Sequence, residues 1–276
     1  WTYSLGGELT HTPWRLPLAD FDHSRYSLYE VAVEEWAGFL FINLESDPDR
    51  ALNEAIASWP DLFSNWYFET ARTGHRRSWT IACNWKVFWE NFSECYHCPG
   101  IHPELGRISE EYAKGIIRAS DELGWKPEKQ ESPYRSRLRP GIETWSDDGS
   151  TNLPYYSGLN EDERHMGHNF AVLLPSGFVA AHRDYVRFGY LVPEGPEQVR
   201  FTVEWLFPPE TLEDPEVDLT SPIEFITRLT EQDTRVCALN QRGLHARRHE
   251  NGVLVPQEYL LREFHEWVLG RLAEEV

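Results

Sequence analysis

The chain has 276 residues, with 26 Lys and Arg against 45 Asp and Glu, a formal net charge of −19 at pH 7. So acidic a protein is repelled by phosphate backbones and anionic lipid headgroups, which excludes general nucleic-acid and membrane-surface binding. A hydrophobic content of 41% excludes a disordered chain, and the 12 Trp, 12 Tyr and 14 Phe are enough for both a core and an aromatic-lined pocket.

Residues 1–45 read as short strands and turns. WTYSLGGELTHTPW turns at Gly6-Gly7, and LYEVAVEEW and GFLFINL flank Ala37-Gly38. The chain opens at Trp1 in mid-pattern, so an upstream segment is expected, and no signal or transit segment is legible. ESDPDR then punctuates the sequence, LNEAIASWPDLFSNW predicts a short helix, and residues 66–82 predict a strand. Residues 105–165 are irregular and rich in Pro, Gly and charge, as lids and binding loops are. From residue 169 the pattern becomes a meander: NFAVLLP, GFVAAHR, YVRFGYLV and VRFTVEWLF are joined by turns too short for anything but antiparallel pairing. Helices are predicted over about 221–243 and 257–274. The fold class is therefore α+β, an antiparallel sheet around a long C-terminal helix.

Chemistry concentrates in NWKVFWENFSECYHCPGIHPEL, residues 84–105. On a helix from Asn84, the residues Val87, Asn91, Glu94 and Cys98 share one face. His97 and His102 are five positions apart, which on an ideal helix leaves their rings about 140° from each other. Pro99 and Gly100 break the helix between them and allow both imidazoles to reach one point. A third ligand comes from SPIEFITRLTEQDTRVCALNQRGL. There Asp233 and Asn240 share a stripe with Ile226, Leu229 and Val236, while Arg228, Glu231 and Arg235 point away. An inward carboxylate is costly unless paired or metal-bound. Two His and one carboxylate suit non-haem Fe(II); pairing of Asp233 with an Arg is the structural alternative.

Cys95 and Cys98 form a C-x-x-C around His97, which allows a second reading as structural zinc or a redox pair. A second C-x-x-C is absent, with Cys83 and Cys237 standing alone. Four cysteines in a chain this long are no disulfide framework, so the cytoplasm is the expected compartment.

The stretch N-W-K, three residues, E-N, two residues, E-C-Y-H, four residues, H resembles the catalytic α subunits of Rieske non-haem iron oxygenases. The later Q-D and N-Q-R-G-L are similar to that family's third-ligand helix. The resemblance implies a helix-grip (Bet v1-like) sheet and a mononuclear Fe(II) held by His97, His102 and Asp233. It further implies Glu94, beside Asn91, as the acid that bridges this iron to a [2Fe–2S] cluster in the neighbouring subunit of a head-to-tail homotrimer. A ferredoxin or flavin reductase is the expected electron donor. The C-x-H and C-x-x-H cluster ligands of the family are missing here. Residues 1–45 are therefore expected to be the C-terminal remnant of a Rieske domain and residues 46–276 the catalytic domain, with the cluster present only in the full-length protein.

The E-C-Y-H-C form resembles the branch that acts on betaines, choline and carnitine, and the aromatic residues suit a cation–π cage. Phe178, His182, Tyr185 and Trp205 are candidates for its lining. The expected activity is O2-dependent hydroxylation or N-demethylation of a small organic substrate. The alternatives are cis-dihydroxylation of an aromatic ring and a helix-grip ligand-binding module with a vestigial metal site.

Overall fold

Tight turns between runs of β-branched and aromatic residues build the sheet that dominates the fold. The computed structural model of the protein describes residues 1–13, 20–45, 50–117 and 134–274. The chain forms two compact units, Trp1–Ala57 and Ser58–Val276. In the first, β1 (Thr2–Tyr3) pairs antiparallel with β2 (Leu9–His11), and β3 (Ala32–Trp36) with β4 (Phe39–Asn43). Ala37 and Gly38 both have positive φ, 52° and 85°, the turn whose twist matches a tight hairpin. Helix α1 (Leu52–Ala55) closes this unit. Residues 46–49, in the expected ESDPDR break, lie outside the described residues, as do residues 14–19 of the expected remnant.

The second unit is a six-stranded antiparallel sheet in the order β5-β10-β9-β8-β7-β6. Its strands are β5 (Arg72–Ile81), β6 (Tyr134–Arg137), β7 (Met166–Leu173), β8 (Gly177–Ala181), β9 (Val186–Gly195) and β10 (Gln198–Phe207). Strands β7 to β10 are the expected meander. The expected helix over 52–66 is two short pieces, α1 and α2 (Trp59–Phe63), with Pro60 in the first turn of the second. The strand expected from 66 begins only at Arg72, because residues 64–70 make two 3-10 turns about Tyr67, whose φ is 49°. The irregular stretch contains α5 (Pro103–Ile108), α6 (Glu110–Ala113), β6 and α7 (Glu161–His165), while residues 118–133 lie outside the described residues.

Helix α3 (Trp85–Phe92) and α4 (Cys98–Ile101) lead into α5; α8 (Pro209–Glu213), α9 (Thr220–Leu244) and α10 (Tyr259–Glu274) follow the sheet. Helix α9 is amphipathic and buries Phe225, Ile226 and Leu229 in the same core as Phe178, Val203 and Trp205 of the sheet. Gly189 is required there: a Cβ would stand 2.4 Å from the Phe178 ring. This arrangement is the helix-grip α+β class expected from the sequence. Among the described residues, no helix is long and apolar enough to cross a membrane.

Candidate metal centre

Helix α3 starts because Asn84, in extended conformation, accepts the Lys86 N–H through its side chain at 3.0 Å. It ends at Ser93, earlier than its sequence suggests, so Glu94 and Cys98 do not continue the Asn91 face. The chain instead makes a turn in which the Cys98 N–H reaches the Cys95 carbonyl at 3.0 Å, and a disulfide joins the two cysteines. Neither sulfur is then a free thiolate, which removes the zinc reading of this motif. Cys83 and Cys237 are buried free thiols.

His97 precedes the four-residue α4 and His102 ends it, with Pro99 in its first turn. So short an element with a break on each side brings the two imidazoles together. Their Nε2 atoms are 3.3 Å apart. Asp233 Oδ1, from α9, is 2.9 Å from His102 Nε2 and 3.5 Å from His97 Nε2. A single first-row ion with bonds of about 2.1 Å and ligands near right angles requires separations of about 3 Å. The residues present therefore fit one such ion.

Each candidate ligand is held by a further side chain. Glu94 lies with Oε1 2.5 Å from His97 Nδ1 and accepts the His97 backbone N–H at 3.2 Å. Gln232 Oε1 is 2.6 Å from His102 Nδ1, and its Nε2 donates to Glu104 at 2.6 Å. Asn91 donates to Asp233 Oδ1 at 2.9 Å. Such contacts fix the tautomer so that both Nε2 atoms are free for a metal. The Gln232–Glu104 pair was not singled out from sequence; Gln232 flanks Asp233, and only the fold shows that it faces His102.

The charges are strongly coupled. Burial works to raise the Asp233 pKa, but the hydrogen bonds with His102 and His97 hold it down at about 2. Burial works to lower that of His97, but Asp233 and Glu94 raise it to about 9. His102 is also raised against burial, chiefly by Asp233. The α9 stripe differs from its expected course in one respect. Asn240 is exposed, and Cys237 and Gln241 are buried in its place. The C-terminal half of α9 packs on α3, where Gln241 accepts the Asn84 N–H at 2.8 Å.

Phe178, His182, Tyr185 and Trp205 are all buried. Phe178 stacks on Phe92 at 4.4 Å, next to Asn91 in the chain, whereas His182 and Tyr185 stack on each other at 4.3 Å.

A gripped helix that offers one carboxylate to two histidines on a broken helix is an arrangement that suits a mononuclear non-haem iron centre. The chain belongs to the family of ring-hydroxylating alpha subunits (catalytic domain), whose model matches residues 68–274. It is thus the catalytic part of a Rieske non-haem iron oxygenase. It is 27% identical to the glycine betaine monooxygenase oxygenase subunit of Chromohalobacter salexigens, over 100% of this chain and 67% of that protein. The corresponding subunit of Pseudomonas aeruginosa is 25% identical, over 100% of this chain and 69% of its own. The chain thus spans about two thirds of their length. A solved quaternary ammonium Rieske monooxygenase, whose structure bears on carnitine oxidation by gut microbiota, superposes with a TM-score of 0.70 at 19% identity. The match covers 97% of this chain and 69% of that one.

Proposed function

We propose that His97, His102 and Asp233 hold one Fe(II), and that the protein hydroxylates an N-methyl group of a small quaternary ammonium compound. The observation that carries this reading is the approach of three ligand atoms to within 2.9–3.5 Å on residues each steadied by another side chain. Fe(II) bound by two imidazoles and a carboxylate keeps open positions and supplies O2 activation. Around it, Glu94 and Gln232 orient the imidazoles, and Asn91 orients Asp233. Phe92, Phe170 and Phe178 lie in ring contact just beyond Asn91 and offer aromatic faces to a cation. The names of the relatives support the same substrate class.

A hydroxylated N-methyl carbon leaves as formaldehyde. A [2Fe–2S] cluster of the full-length protein, reduced by a ferredoxin or flavin reductase, would supply the electrons, and Glu94 would be the residue of this chain that faces that cluster in a neighbouring subunit of a head-to-tail homotrimer. Residues 1–45 belong to the end of that cluster domain and residues 46–276 to the catalytic domain. The compartment we infer is the cytoplasm, which the free buried thiols Cys83 and Cys237 support and the Cys95–Cys98 disulfide counts against.

The test is two-part. The purified chain is expected to take up one Fe(II), and Asp233→Ala to lose it while keeping its circular dichroism. The full-length protein with its reductase is expected to release one formaldehyde per glycine betaine consumed. Full iron occupancy in Asp233→Ala, or turnover of betaine without formaldehyde, overturns the assignment.

A further inference from the structure

The metal centre has a sulfur at its edge that the three candidate ligands leave unused. Around His97 Nε2 stand His102 Nε2 at 3.3 Å, Asp233 Oδ1 at 3.5 Å and Cys98 Sγ at 4.0 Å. An ion about 2.1 Å from an imidazole nitrogen and about 2.3 Å from a thiolate holds the two about 3.6 Å apart at a tetrahedral angle, and about 4.4 Å apart at the widest. The Cys98 sulfur is therefore within reach of the same ion. Bonded to Cys95 it has no thiolate to offer, and the thiolate is what binds metals.

The backbone that aims this sulfur is held independently of the disulfide. The Cys98 N–H donates to the Cys95 carbonyl at 3.0 Å, and the Cys98 carbonyl accepts the His102 N–H at 2.8 Å. Gly115, at φ 71°, backs the turn so closely that a Cβ there would stand 3.5 Å from the Cys95 carbonyl oxygen and the Tyr96 Cα. The two sulfurs differ in access: Cys98 is buried, whereas Cys95 is half-buried beside the exposed Tyr96. A dithiol reductant therefore attacks the Cys95 sulfur, and the bond breaks with Cys98 as the leaving thiolate. The second thiol of the reductant then displaces Cys95 from the mixed disulfide. Two electrons and two protons pass to the protein, and the reductant ends as a disulfide. When Cys98 takes a metal ion, its proton goes to solvent.

We infer that the Cys95–Cys98 pair sets which metal the centre takes. With the disulfide closed, His97, His102 and Asp233 leave open positions, the arrangement that suits Fe(II). With the disulfide reduced, Cys98 becomes a fourth ligand. Two nitrogens, one oxygen and one sulfur then make a closed tetrahedral site that favours Zn(II). Such a site has no position left for O2, so the reduced chain holds metal without oxygenase chemistry. The inference rests on the proposal that His97, His102 and Asp233 are the ligands of one ion.

Titration of the purified chain with Co(II) and with Zn(II) tests the switch, after oxidised glutathione and after a phosphine reductant, each removed before metal is added. Alkylation of the unfolded protein is expected to count two thiols in the oxidised chain, Cys83 and Cys237, and four in the reduced one. The reduced chain is expected to show a sulfur-to-cobalt charge-transfer band that the oxidised chain lacks. It is also expected to bind Zn(II) at least about tenfold more tightly than the oxidised chain does. Cys95→Ser is expected to show the band without reductant, and Cys98→Ser to bind Co(II) without the band in either condition. If Cys98→Ser does not fold, Cys95→Ser and the two states of the unmodified chain decide. Four thiols after oxidised glutathione, equal spectra for the two cobalt-loaded states, or a band that survives Cys98→Ser each overturn the switch and leave the three-ligand centre standing. Failure of the folded, oxidised chain to take up Co(II) sinks the three-ligand centre itself.

Discussion

His97 and Asp233 pull each other's proton affinities in opposite directions, and that sets how the site responds to pH. Without metal, His97 is raised from 6.5 to about 9. The stability this gives the metal-free fold is complete below about pH 6.5 and is lost as pH rises through 9. Asp233, lowered to about 2, contributes above its ordinary range and is lost only as pH falls through 2. Metal uptake runs the other way from His97, because an imidazole must shed its proton to bind. Affinity for Co(II), a stand-in that resists air, is expected to rise about tenfold per pH unit for each proton displaced, up to pH 9. Titrations in buffers of different ionisation enthalpy will count the protons released; a pH-independent affinity would show that the imidazoles are already neutral. At this scale the candidate ligands were legible in the sequence, since a Pro-Gly break between two histidines and an inward acid are local signals. The side that Arg187 of β9 faces was not. In YVRFGYLV the neighbours are apolar on both faces and do not say which way a charged residue points; the register with Ala180 and Trp205 puts it on the inner face.

Elements with a strict period declared themselves, and elements that end without a breaker did not. The strands from β7 to β10 alternate and are joined by short turns, and α9 follows a 3.6-residue stripe. Helix α3 carries no Pro or Gly until Pro99, so nothing in ENFSECYH marks its end at Ser93; the turn stapled by Cys95 and Cys98 does. The start of α3 matters equally, because it ties three parts of the fold. Asn84 caps the helix, its backbone N–H reaches Gln241 of α9 at 2.8 Å, and its Nδ2 reaches the Pro196 carbonyl at 2.6 Å. Asn84→Ala removes the cap and the Pro196 bond. It is expected to cost about 1–2 kcal/mol, seen as a melting temperature lower by about 2–8 °C. An unchanged melting temperature would mean that packing of Val87, Phe88 and Trp89 alone holds α3 in place.

For the molecule as a whole, the open question is how one centre exchanges electrons with another, and Glu94 is where that question becomes local. Its carboxylate uses one acceptor position on each oxygen within its own chain: one oxygen holds the His97 ring, the other the His97 backbone N–H. It sits beside Tyr96, which is 57% exposed, so this turn reaches the surface while His102, at 3%, does not. A carboxylate in that position connects the proposed ligand His97 to the exposed turn, and it has lone pairs left to accept from a donor that docks there. Glu94→Gln keeps the shape and removes the charge. In the isolated chain it is expected to weaken iron binding by about 10–100-fold, the usual effect of losing a partner behind a ligand imidazole. In the assembled full-length protein, saturated with iron, it is expected to slow reoxidation of a pre-reduced [2Fe–2S] cluster in the presence of substrate and O2. The two readouts separate the two roles. Weaker iron binding with an unchanged reoxidation rate would leave Glu94 as a positioning residue for His97 and nothing more. Slower reoxidation at full iron occupancy would place it on the route between subunits.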